Sequence, residues 1–131
     1  MSILAWNIRG LNGNLKQREV AELIKKFQVP LVALLQTRTK KGTEMEFTKM
    51  LPSYDYFGNH YTHPNGRILV LWKISEIGLS ILFSSAQMIH CKVTTSKATS
   101  FVASFIYGHN NLEMRKTLSN YLDTISQANV H

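Results

Sequence analysis

A single cysteine, Cys91, is all the thiol chemistry in the 131 residues. An internal disulfide and a multi-cysteine zinc site are therefore both excluded. Long apolar runs are missing too: residues 31–35 and 68–72 are the longest, far short of the roughly 20 apolar residues that cross a bilayer. No membrane partner is expected. The opening Met1-Ser2-Ile3-Leu4-Ala5-Trp6-Asn7 lacks a basic stretch leading into an apolar segment and a small-residue cleavage site, which argues against secretion. A reducing intracellular compartment, nuclear or cytoplasmic, fits these absences. Negative charge is scarce: 8 Asp and Glu stand against 15 Lys and Arg, giving a net charge of +7 and a pI near 9.7. Such a surface attracts polyanions, and nucleic acid, DNA above all, is the partner it suits. Charge speaks to association and not to fold, however, and many small domains are basic for solubility alone. The basic residues are also scattered, with Lys25-Lys26 and residues 38–41 as the only local concentrations.

What is present suits one α/β domain over residues 1–131. The hydrophobic fraction of 44% and charged fraction of 18% are ordinary for a globular chain. Residues 3–8 read as a short buried strand, followed by the turn-rich Arg9-Gly10-Leu11-Asn12-Gly13-Asn14. Residues 17–28 carry Val20, Leu23, Ile24 and Phe27 at helical spacing. Pro30 stops that helix, and residues 31–36 form an apolar run of strand length, completing a β-α-β unit. A short helix over 44–51 is weakly signalled. Residues 54–58, 67–73, 77–83, 87–94 and 101–107 follow as five strands in an antiparallel meander, separated by turns such as His63-Pro64-Asn65-Gly66. The pattern Met114, Leu118, Tyr121, Leu122 and Ile125 predicts a last amphipathic helix over 112–126.

Several enzyme signatures are absent: no phosphate loop ending in Gly-Lys-Ser/Thr, no His-Glu-x-x-His, no Gly-x-Ser-x-Gly. His60 and His63 lie three apart in a loop, a weak metal signal, and His90 reads as a packed or surface side chain. The informative residues lie where strands end and loops present polar groups at a sheet edge. Trp6-Asn7-Ile8-Arg9-Gly10-Leu11 closes the first strand, Leu34-Leu35-Gln36-Thr37-Arg38 the second, and Ile106-Tyr107-Gly108-His109-Asn110 the last. In order and strand context, the three resemble the W-N-x-x-G-L, L-x-E-T-K and Y-x-x-N elements of the endonuclease/exonuclease/phosphatase family. The approach to the first helix through Lys16 and Gln17 resembles LINE-type (non-LTR) retrotransposon endonuclease domains, and residues 66–72 and 87–90 resemble the plant members.

The resemblance implies a two-sheet α/β sandwich with outer helices, of which this chain is the N-terminal half. It also implies Mg²⁺-dependent phosphodiester cleavage of DNA as the ancestral chemistry. Asn7 matches an asparagine at the metal and scissile phosphate, Tyr107 a tyrosine whose hydroxyl approaches the phosphate, and Asn110 a phosphate-contacting asparagine. Without the family pattern, Tyr107 would read as a packed aromatic and the two asparagines as turn residues. The metal site implied is Asn7 and position 36, and there the chain departs from the pattern. Where the family carries a metal-ligating glutamate, this chain has Gln36, which brings no charge to a hard cation. The G-D-x-N segment and terminal Asp-His pair of the family do not occur before His131. The expectation is a degenerate endonuclease relative from a retroelement reading frame, with no cleavage activity. The alternative is a non-catalytic basic module that grips nucleic acid without sequence preference. A half-sandwich is also expected to leave uncovered an apolar face, drawn from alternate residues of 68–72 and 101–107, and to self-associate through it.

Overall fold

The computed structural model describes residues 2–8, 10–11, 13–35, 37, 43–108, 111–118 and 129–130. Strand β1, Ile3–Asn7, and strand β2, Leu31–Leu35, pair in parallel, with Ile3 opposite Leu31 and Asn7 opposite Leu35. A parallel pair needs a crossover. Helix α1, Asn14–Phe27, supplies it. The helix ends where Gln28 takes a φ of 47° and its N–H reaches the Lys25 carbonyl. Lys25 and Lys26 lie in the last turn, where positive charge suits the carbonyl end of the dipole.

After α2, Thr43–Lys49, strand β3 covers Tyr54–Gly58 and strand β4 covers Ile68–Lys73. They complete a four-stranded mixed sheet in the order β1-β2-β4-β3, with β4 antiparallel to both neighbours. Strand β2 is buried at all five positions, as its unbroken apolar run requires of a strand covered on two faces. Strands β5 (Ile77–Ser84), β6 (Met88–Thr95), β7 (Ser100–Gly108), β8 (Asn111–Leu118) and β9 (Asn129–Val130) follow one another in a second, antiparallel sheet. Irregular pairing between Ile81 and Phe83 marks a bulge in β5.

Period-2 alternation divides the buried residues into two cores. Val32, Leu34, Leu69 and Leu71 face α1 and α2, meeting Val20, Ala21, Ile24 and Phe47. Leu31, Ala33, Leu35, Ile68 and Val70 face the second sheet, meeting Ile89, Cys91, Val93, Phe101, Ala103 and Phe105. The architecture is thus α/β, a mixed sheet with helices outside and a second sheet inside.

Four expectations are corrected. The five central strands are not one meander: β3 and β4 belong to the first sheet, and the chain changes sheet at the turn before β5. The apolar face of residues 68–72 and 101–107 is not bare, because Ile68, Val70, Phe101, Ala103 and Phe105 close one core between the sheets. Residues 112–118 form strand β8 and not a helix, while 119–128 lie outside the described residues. Leu112, Met114 and Leu118 satisfy a period of two as well as one near 3.6, and pairing with β7 decides between them. Finally, α1 buries Gln17, Val20, Ala21 and Ile24, and leaves Leu23 and Phe27 39% and 64% exposed. The buried face includes Gln17, whose amide nitrogen bonds the Leu11 carbonyl.

Candidate functional site

The parallel register of β1 and β2 fixes the surroundings of Asn7. Asn7 closes β1 opposite Leu35, and the Ile8 N–H donates to the Leu35 carbonyl at 3.1 Å. The loops beyond are knitted by backbone bonds: Leu11 N–H to the Thr37 carbonyl at 2.8 Å, and Thr37 N–H to the Arg67 carbonyl at 3.3 Å. Gln36 and Asn110 lie outside the described residues.

Tyr107 enters from the second sheet. It continues the inward series Phe101, Ala103, Phe105, packs half-buried against the core between the sheets, and donates its N–H to the Gln87 carbonyl at 2.7 Å. Asn59 fixes which ends of the two sheets coincide. Fully buried in the 3-10 turn Asn59–Tyr61, it accepts the Ile68 N–H at 2.9 Å and donates to the Ser85 and Ala86 carbonyls at 3.0 and 3.3 Å. Ile68 pairs with Leu35, and Gln87 holds Tyr107, so Asn7 and Tyr107 share one end of the sandwich. Gly66 lets this staple close. A Cβ there would lie 2.6 Å from Asn59 Oδ1 and 2.7 Å from its backbone carbon.

Sequence reasoning missed the role of Gln17, read only as the approach to α1. Its amide nitrogen donates to the Leu11 carbonyl at 2.7 Å, tying α1 to the strand-end loops. Gln17 Oε1 and Thr37 Oγ1 are buried without a hydrogen-bond partner among the described residues, although both flank the Leu11 backbone. Buried orphan oxygens are uncommon, and here two belong to residues bonded to the Leu11 backbone. The only available signal was a glutamine in a helix stripe that is otherwise apolar.

Among the described residues the histidines form no ligand set. His63 Nδ1 lies 2.8 Å from Thr62 Oγ1, and His90 Nδ1 lies 2.6 Å from Ser104 Oγ, in keeping with a packed side chain. No group of three His, Cys, Asp or Glu side chains could hold a metal among the described residues. Of the residues that the resemblance assigns to the site, Asn7 and Tyr107 are described, and their amide and phenol are both neutral. Magnesium is a hard cation usually held through carboxylates, and this donor set does not fit it. Among the described residues, no helix is long and apolar enough to cross a membrane.

No protein-family model matches the chain. No curated protein matches it either. Among solved structures, it is similar to TDP2 of D. rerio humanized by 14 mutations, with a TM-score of 0.60 and 16% identity over 82% of this chain and 51% of that one. It is also similar to an endonuclease/exonuclease/phosphatase family protein from Bacteroides thetaiotaomicron, at TM-score 0.44 and 10% identity over 88% of this chain and 49% of that one. The chain therefore spans about half the length of the solved structures it matches. The fold is a two-sheet α/β sandwich similar to that of TDP2, and this is the architecture that the strand-end motifs imply.

Proposed function

We propose that this chain is a non-cleaving relative of the Mg²⁺-dependent DNA endonucleases, from a plant LINE-type reading frame, that binds DNA without sequence preference. The observation that carries the proposal is Gln36. It follows Leu35, the last residue of β2 and the partner of Asn7, at the point in the sequence where the family pattern has its metal-ligating glutamate. Without that carboxylate, the site loses the charge that would hold a divalent cation and, through it, stabilise a phosphorane-like transition state. No step of hydrolysis is assigned to these residues. Asn7 and Tyr107 keep neutral hydrogen-bonding groups suited to a phosphate oxygen, since an amide both donates and accepts and a phenol can donate. The net charge of +7 supports the binding half of the reading, which needs no carboxylate. The ordered W-N-x-x-G-L, L-x-x-T and Y-x-x-N elements support the retroelement origin.

Plasmid nicking and DNA binding, measured on the same preparation, test the proposal. Expected are no Mg²⁺-dependent nicking, a Kd of about 10⁻⁴ to 10⁻⁶ M at physiological salt, and affinity that falls steeply as salt rises. Gln36→Glu is expected to bind Mn²⁺ more tightly than the parent while still failing to nick. Chelator-sensitive nicking by the parent that disappears in Asn7→Ala would refute the loss of catalysis. Affinity that stays flat across salt would refute the binding.

A further inference from the structure

At the opposite end of the first sheet, an open pocket of about 170 Å³ lies between the last turn of α1 and the edge where β3 meets β4. Lys25, Gln28, Ser53, Tyr54 and Lys73 line it. It is distinct from the Asn7 site: Lys73 ends β4 and bonds through its N–H to the Pro30 carbonyl, whereas the site lies at Ile68, where β4 begins.

The lining is a set of donors. Lys25 has no salt bridge among the described residues, and neither the Ser53 hydroxyl nor the Gln28 amide nitrogen has a partner there. The Lys73 ammonium is held loosely, 3.4 Å from Gln28 Oε1 and 3.4 Å from the half-exposed Glu76 carboxylate. An ion pair that exposed is worth little and yields to a better anion. Tyr54 offers its ring as a wall, because its hydroxyl is spent on the Val29 carbonyl. Bare helix carbonyls would repel an anion, but Lys25 and Lys73 bring two positive charges to the lining.

We infer that this pocket is a phosphate subsite, taking a tetrahedral oxyanion between Lys25 and Lys73 with Ser53 and Gln28 donating to its remaining oxygens. The phosphate comes either from a nucleic-acid backbone, which extends the DNA-binding reading to a second contact, or from free phosphate, which leaves that reading aside.

Inorganic phosphate titrated into the full chain, followed by amide shifts, tests the subsite without DNA. Shifts are expected at Lys25, Gln28, Ser53 and Lys73, and should be lost in the Lys25→Gln/Lys73→Gln double variant. Glu76→Gln should tighten binding on the order of threefold, by removing one exposed competing carboxylate. A single-stranded oligonucleotide then identifies the source. A salt slope lower by roughly 1.4 in the double variant, about 0.7 for each lysine on a single strand, assigns the subsite to nucleic acid, and an unchanged slope assigns it to free phosphate. The inference is overturned if the shifts spread evenly over exposed lysines such as Lys97, if the double variant binds phosphate normally, if Glu76→Gln does not tighten binding, or if an acidic peptide outcompetes phosphate there.

Discussion

Asn59 shows how much one buried side chain can decide. Three hydrogen bonds tie the start of β4 to the turn between β5 and β6. Asn59→Ala would strand the Ile68 N–H in a buried place. A loss of about 2–3 kcal/mol is expected in chemical denaturation, with an unchanged denaturant slope. A loss below half of that would mean that water replaces the amide. Cys91 gives a prediction about pH. Fully buried between the sheets, its thiol is pushed from the ordinary 9.0 up to about 12 by desolvation. The unfolded chain then releases that proton above pH 9 while the folded chain keeps it until about 12. This contribution to stability is complete below pH 9 and is lost as pH rises toward 12. Cys91→Ala should therefore show a shallower fall in stability across that window, and an identical fall would remove Cys91 as its cause. Of the site residues, Gln36 departs from the family pattern by residue type alone, which the sequence gives directly. Gln17 was not, since the value of its amide depends on where the Leu11 carbonyl arrives.

The elements differ in how far local pattern determines them. Helix α1 was legible as a helix but misread in its facing, because Leu23 and Phe27 extend the apolar stripe to a side that no strand covers. Phe27 instead sits in the open, with the Lys26 ammonium 5.5 Å from its ring centroid. The two sides separate energetically. Ile24→Ala should cost about 2–5 kcal/mol as a buried large-to-small change, whereas Leu23→Ala should cost under about 1 kcal/mol. Comparable losses at both positions, read from thermal or denaturant unfolding, would place the packed face where periodicity first put it. Strand β8 was misread for a different reason. Apolar residues at 112, 114 and 118 fit either period, and only the pairing of Gly108 with Asn111 through Phe101 with Leu118 selects the strand. Native-state hydrogen exchange should show slowed amides in β7 along this ladder, and uniformly fast exchange there would remove β8.

At the scale of the molecule, the two sheets close on each other. With Ile68, Val70, Phe101 and Phe105 buried, the argument for self-association through a bare apolar face gives way. The chain is expected to melt in one cooperative transition whose midpoint does not move with protein concentration. Calorimetry over a hundredfold concentration range, with light scattering, checks this. A rising midpoint would locate a dimer contact elsewhere, with the exposed Leu82 and Phe83 at the β5 bulge as the first residues to test.

The sequence by itself determined the β-α-β opening, the positions of β3 to β7, the positive charge, and the glutamine where the family pattern has a carboxylate. Each follows from local periodicity, turn chemistry or residue type. Only the tertiary structure decided which strands share a sheet, which side of α1 is buried, whether residues 111–118 extend or coil, and that Lys25 and Lys73 line one pocket. Those outcomes depend on contacts between residues far apart in the chain, and a local pattern that fits two structures equally well holds no information about which of them its distant partners will favour.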